Sequence, residues 1–399
     1  MAKINLALVG CGGMGIRHLH GLKQLELSGM NNVRLVGVCD LKEENALTAA
    51  SEAEELLGVR PDVYSDLEAM FRQGKNIDAV DIVTEPSVHH ILACIAFEAG
   101  AHVMVEKPMG ITVKACKKMI DFAQKYDKKL SVAENYRRDP VNRLARSALD
   151  KELIGKPYLM IHNSLGGGNQ IFITPWRHLK NKGGALLDMG VHYTDIIQYY
   201  LGEIDAVYGQ AALIEKIRYR EAETVEATSE DVSAALFTTK SGVAVQWILT
   251  LGGHHSGGYK RAVYGMKGEL DAPGDRNGRA LRLRLAGQGD VAGSDILQLL
   301  PAFRLDEITS RLFGENGVQY EMSFQEVDSK IIAIEYHDFA SAILNDRQPE
   351  VDGILGMKAV AAIYGILESA VLGTSVKMND VESGRICSYQ EEIDRALGL

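Results

Sequence analysis

The chain is short of the features that would mark it for nucleic acid, for a membrane or for an oxidising compartment. Its 43 Lys and Arg are outnumbered by 53 Asp and Glu, giving a net charge of −10. No basic cluster offsets that balance, so phosphate backbones and anionic membranes are repelled. The five cysteines (Cys11, Cys39, Cys94, Cys116 and Cys387) are odd in number, scattered and free of Cys-x-x-Cys spacing. They read as reduced core residues rather than a disulfide framework. No His-Glu-x-x-His and no cysteine pair supplies ligand spacing for a metal, and none is expected. No uncharged apolar stretch approaches the roughly 18 residues of a bilayer span. Met1-Ala2-Lys3 runs straight into Ile4 without the apolar region of a signal peptide, so the expected location is the cytoplasm. Internal repeats and low-complexity tracts are also missing. What remains is an ordinary globular composition, 46% apolar and 24% charged over 399 residues, enough for two or three domains.

The first 135 residues alternate short β-rich runs (Ile4 to Val9, Val33 to Cys39, Ala79 to Val83, His102 to Val105, Leu130 to Ala133) with helical patterns. Parallel neighbours need a crossover and a helix supplies it, so this grammar predicts a doubly wound α/β Rossmann domain. After Pro140 the grammar changes. A helix from Val141 to Asp150 and another from about Ala185 to Leu201 are followed by strands in series. Such a run predicts an α+β domain on a mostly antiparallel open sheet, residues 136–399, with two closing helices, Ile331 to Asn345 and Gly356 to Leu372. The stretch Asp271 to Leu305 carries turn residues throughout and no role can be read from it.

Directly after the first strand stands Gly10-Cys11-Gly12-Gly13-Met14-Gly15, a G-x-G-x-x-G opening a helix. Gly10 allows the tight turn, Gly12 the approach of a pyrophosphate and Gly15 close helix packing, while Gly13 and Met14 offer helix N-terminal N–H groups. Asp40 ends the second strand, where a carboxylate accepts from the adenosine ribose hydroxyls and repels the 2′-phosphate of NADP. NAD is the expected cofactor and NADP the less favoured one. Lys42, two residues on, reads as a solvated lysine at a helix start.

Two further segments join this one: Glu106-Lys107-Pro108 after the strand at His102, and Asp188-Met189-Gly190-Val191-His192 after Trp176-Arg177. With them the chain resembles the Gfo/Idh/MocA oxidoreductases, the glucose-fructose oxidoreductase and inositol dehydrogenase family, through nearly its whole length. The resemblance implies an NAD-dependent enzyme oxidising a secondary hydroxyl of a sugar, glycoside or cyclitol, with a Lys107–Pro108 bond that is often cis. Relatives commonly associate through the second domain's sheet, implying a homodimer or homotetramer. The family's usual Thr-Pro-Asn-x-x-His reads here Thr84-Glu85-Pro86-Ser87-Val88-His89, and only Thr84 and His89 carry over as cofactor contacts, with Glu106, Lys107, Trp176 and Arg177.

A desolvated lysine suits the removal of a hydroxyl proton, which is the expectation for Lys107. Asp188 and His192 are four apart, hence on one helix face, and are expected to act with Lys107 as the acid/base group and as one unit, with a ring nitrogen of His192 open to a carboxylate. Tyr136, Arg138 and Asn163 are the expected substrate contacts beside Lys107, Asp188 and His192. Two other readings stay open: a glycoside hydrolase that oxidises and re-reduces a sugar in place, and a sugar- and NAD-binding regulator without catalysis.

Overall fold

The computed structural model describes residues 2–73 and 76–399. The first unit alternates β1 (Ile4–Val9), α1 (Gly13–Leu27), β2 (Val33–Cys39), α2 (Glu43–Leu57), β3 (Asp62–Tyr64), α3 (Leu67–Gln73), β4 (Ala79–Ile82), α4 (His89–Glu98), β5 (His102–Glu106), α5 (Val113–Lys125) and β6 (Leu130–Ala133). All strand pairs are parallel, in the order β3-β2-β1-β4-β5-β6. The central strands are buried on both faces, as continuous apolar runs such as Ala79–Ile82 require when helices cover both sides. Short β3 and α3, too brief to show a period, were not foreseen.

The second unit starts with α6 (Pro140–Asp150), capped by Asp139, whose side chain accepts from the Val141 N–H. It continues with β7 (Pro157–Leu165), α7 (Gly184–Leu201), β8 (Ile204–Ala212), the small hairpin β9 (Ile217–Arg220) and β10 (Glu223–Glu226), then β11 (Val232–Thr239), β12 (Ala244–Thr250), β13 (Gly258–Gly265), β14 (Gly268–Ala272), β15 (Arg282–Leu285) and β16 (Gly289–Ala292). Beyond these lie α8 (Ile296–Leu299), α9 (Glu307–Phe313), α10 (Phe324–Leu344), α11 (Gly353–Leu372) and β17 (Val376–Lys377). Nine strands form one sheet, β16-β15-β14-β13-β7-β12-β11-β8-β17, antiparallel except where β7 meets β12. Alternating burial along β11 and β12 marks a sheet covered on one face. The covering layer is α7 and α11.

The expected division after residue 135 falls where the chain leaves the first sheet, but the chain later returns to it. Helix α10 lies on α1, where Arg17 pairs with Asp328 at 2.6 Å, and the Val132 N–H donates to the Val351 carbonyl just before α11. By length and composition α11 is apolar enough to cross a membrane. Here that apolarity faces α7, β8 and α5, and even its Glu368 is fully buried, accepting from the Tyr389 N–H.

Candidate active site

The site candidates of the first unit follow the carboxyl ends of five parallel strands, the edge where open α/β sheets bind ligands. Gly10 follows β1, Asp40 follows β2, Thr84 follows β4, Lys107 follows β5 and Glu134 follows β6. At Gly10 φ is +98°, and a Cβ would stand 2.6 Å from the Val83 carbonyl oxygen; at Gly15 it would meet the Gly10 carbonyl oxygen. Only glycine fits either position. Above Gly12 and Gly13, by contrast, a Cβ would meet nothing within 4 Å. No side chain caps α1, so its first N–H groups, through Met14, are free for an anion. Asp40 is braced by the same loop, accepting from the Cys11 N–H and the Lys42 N–H, each at 2.8 Å. These residues fit a dinucleotide, with the pyrophosphate over Gly12 to Gly15 and the adenosine ribose at Asp40.

Next to this cradle the Lys107–Pro108 bond is cis. Lys107 Nζ donates to both the Asp188 carboxylate and the Asp188 carbonyl at 3.1 Å. The other Asp188 oxygen accepts from Arg177 Nε at 2.8 Å. Arg177 also donates to Thr174 and lies 4.2 Å over the ring of Trp176. Burial alone would raise the Asp188 carboxyl, but Lys107 and Arg177 beside it hold it below the usual carboxylate range.

One turn further along α7, His192 is buried, and its Nδ1 stands 2.8 and 3.0 Å from the two oxygens of Glu134. Tyr136 stacks on the imidazole, centroids 4.1 Å apart and planes within 4°. The guanidinium of Arg276 in turn lies 5.1 Å from the Tyr136 ring. Burial, with Lys107 and Arg276 nearby, pushes the His192 pKa well down, and burial lifts the Glu134 carboxyl to about 7.

The structure therefore brings together Lys107, Asp188, His192, Arg177, Trp176 and Tyr136, and it corrects five expectations. Asp188 and His192 share a face but not a bond: Asp188 belongs to Lys107 and Arg177, and His192 to Glu134. Arg138 does not reach the cleft; it is 1% exposed and held by Asp338 and Glu350. Asn163 points away, because strand alternation that turns His162 and Ser164 toward Tyr193 turns Asn163 to the opposite face, beside Ile248 and Lys260. His89 is fully buried, its ring nitrogens 3.2 Å from the Pro108 carbonyl and 3.1 Å from that of Thr84. It ties two site loops together instead of touching a ligand. Glu106 turns inward to His18 at 3.4 Å. Thr84 stays half-buried at the crevice edge. Two site residues went unforeseen. Glu134 had a positional signal, standing just after the last parallel strand; Arg276, in the turn-rich stretch from which no role can be read and at a φ of +58°, had none.

Family comparison identifies the two units. Residues 4–134 match the model of an oxidoreductase family with an NAD-binding Rossmann fold, and residues 142–271 match the GFO/IDH/MocA C-terminal domain. The chain belongs to the Gfo/Idh/MocA oxidoreductases. It is 24% identical to the myo-inositol 2-dehydrogenase of Thermotoga maritima over 379 residues, 95% of this chain and 99% of that protein. It is 34% identical over 145 residues to a glycosyl hydrolase family 109 protein of Akkermansia muciniphila, 35% of this chain and 29% of that one. In fold it is similar to levoglucosan dehydrogenase solved with NADH and levoglucosan, with a TM-score of 0.77 at 22% identity over 94% of this chain and 99% of that one. This Gfo/Idh/MocA chain is thus an NAD-binding oxidoreductase.

Proposed function

We propose that the protein is an NAD-dependent dehydrogenase that oxidises a secondary hydroxyl of a neutral sugar, glycoside or cyclitol. The observation that carries this reading is the placement of Lys107, anchored on Asp188, with His192 one helical turn away, at the end of β5 beside the dinucleotide cradle. When bound, NAD supplies the hydride acceptor. Lys107 and His192 flank the hydroxyl and exchange its proton, which general acid/base catalysis requires of groups within hydrogen-bond reach. Asp188 fixes the direction of Lys107, Arg177 fixes Asp188, and the Tyr136 ring stacked on His192 holds the imidazole plane.

A neutral substrate fits because the nearby guanidiniums are already paired: Arg177 with Asp188, Arg137 with Asp195 and Arg276 with Asp328. Among the described residues these pairings leave no guanidinium of the three free for a phosphate. Asp40 supports NAD over NADP, since its charge faces the position of the extra phosphate.

The similarity to a glycosyl hydrolase supports a second reading, hydrolysis through transient oxidation of the sugar in place. One experiment separates the readings: NADH absorbance and nitrophenol release are followed together, with NAD, for a set of free polyols and nitrophenyl glycosides. Net NADH from a polyol is the expected result. Nitrophenol without net NADH assigns the hydrolase route, and tight NAD binding with neither product assigns a regulator.

A further inference from the structure

We propose that Glu134 is the positioning residue of His192, accepting its Nδ1–H so that Nε2 faces the substrate hydroxyl. The inference rests on the dehydrogenase reading and adds a residue that touches neither substrate nor cofactor. A neutral imidazole carries one N–H, and an acceptor at Nδ1 decides which nitrogen holds it. Both oxygens of Glu134 lie within 3.0 Å of Nδ1. Nε2 has no hydrogen-bond partner among the described residues. The carboxylate is itself fixed, since its Oε1 accepts from the Tyr136 N–H at 3.0 Å.

The same short segment also holds the ring plane. Glu134 and Tyr136 are two residues apart in the turn after β6, one gripping the edge of the imidazole and the other stacked on its face. Arg276 rests on Tyr136. His192 is thereby fixed in tautomer, plane and direction by a segment of the Rossmann unit, although it belongs to a helix of the other unit.

Proton flow follows from this placement. As the substrate O–H bond breaks, its proton bonds to Nε2, the carbinol hydride leaving to the nicotinamide dinucleotide that is the oxidant. The Nδ1–H then shifts toward Glu134, so the positive charge is not stranded on a buried ring. Reduction runs the same path backward. The charged groups facing the pair are Glu106 and Lys107 at the end of β5, Arg137 in the turn, Asp188 and Asp195 on α7, Glu335 on α10, and Arg276. With Glu134 raised to about 7 by burial, the pair gains or loses one proton near neutrality and titrates as a unit.

Two variants and one spectrum test this. Glu134→Gln keeps an oxygen for the Nδ1–H but removes the negative charge that favours a protonated ring. The acidic limb of kcat/KM for polyol oxidation is expected to move down by about one pH unit or more, with kcat at the plateau within about tenfold of wild type. Glu134→Leu loses charge and acceptor together, and kcat is expected to fall by about a hundredfold with KM little changed. NAD affinity and the melting temperature report whether either variant is folded. In ¹⁵N-histidine spectra of the wild-type protein, with His192 assigned by difference from His192→Gln, the Nδ1–H tautomer is expected above the titration midpoint. An Nε2–H tautomer there, or an acidic limb and a kcat that Glu134→Gln leaves at wild-type values, overturns the proposal. A wild type that reduces no NAD counts against the dehydrogenase reading instead, and the tautomer then decides the role of Glu134 alone.

Discussion

Asp188 receives Lys107 on one oxygen and Arg177 on the other, which leaves His192 to find its acceptor on another element. That division of labour makes the site two linked pairs rather than a single triad along one helix. At the far end of the cleft, Asp40 is the residue whose charge is expected to choose the cofactor. Asp40→Ala is expected to raise kcat/KM with NADP and lower it with NAD, narrowing the NAD preference expected of the wild type; a wild type preferring NADP by about tenfold or more contradicts this. Much of the site was legible from order along the chain: the glycine motif, Asp40, Lys107 and the Asp188 to His192 spacing each carry a local reason. Partnerships were not. A four-residue helical spacing says that two side chains share a face, but the acceptor for His192 came from a strand end 58 residues upstream. Asn163 failed for a different reason, since sheet parity is set by the neighbours of the strand, and a one-residue difference moves a side chain to the opposite face.

Between elements, the contact of α1 with α10 fastens the last third of the chain to the cofactor unit. A Cβ at Gly21 would stand 2.4 Å from Cγ2 of Ile332. Gly21→Ala is therefore expected to cost about 1–3 kcal/mol through overpacking, read from the denaturation midpoint, although alanine favours helix. The same contact buries His18 completely, its Nδ1 at 2.7 Å from Asp81 and its Nε2 at 3.4 Å from Glu106, with Tyr336 of α10 on Asp81 as well. Burial opposes the charge on His18, but Asp81 and Glu106 outweigh it and raise the pKa to about 10. An imidazolium whose pKa is higher folded than unfolded stabilises the fold fully below about pH 6.5, and that contribution is lost as pH rises toward 10. His18→Gln should accordingly lower the melting temperature most near about pH 6 and progressively less on the alkaline side; a deficit that grows with pH would refute the charged assignment. The parallel sheet and its helices followed from the alternating grammar of the first 135 residues. The return of α10 did not, because nothing in an amphipathic helix names the surface that will cover it.

On the scale of the whole molecule, one face of the nine-stranded sheet carries no helix layer among the described residues. A continuous cross-strand row of Tyr208, Leu236, Gln246 and Ile161 runs along it, with Leu236 59% and Tyr208 47% exposed. Pairing of this face with a second copy would cover it, so a homodimer or homotetramer is expected by light scattering at micromolar concentration, with Leu236→Arg shifting the population to smaller species; a wild-type monomer contradicts that arrangement. We propose that the junction of the two units holds an alcohol dehydrogenase site built on Lys107. Its most direct test is NADH formation from NAD and neutral polyols by the wild type and by Lys107→Ala, side by side with NAD affinity. At least one polyol is expected to be oxidised by the wild type, with Lys107→Ala slower by about 10²- to 10⁴-fold and NAD binding nearly unchanged. A Lys107→Ala variant that turns the same polyol over at the wild-type rate would contradict it.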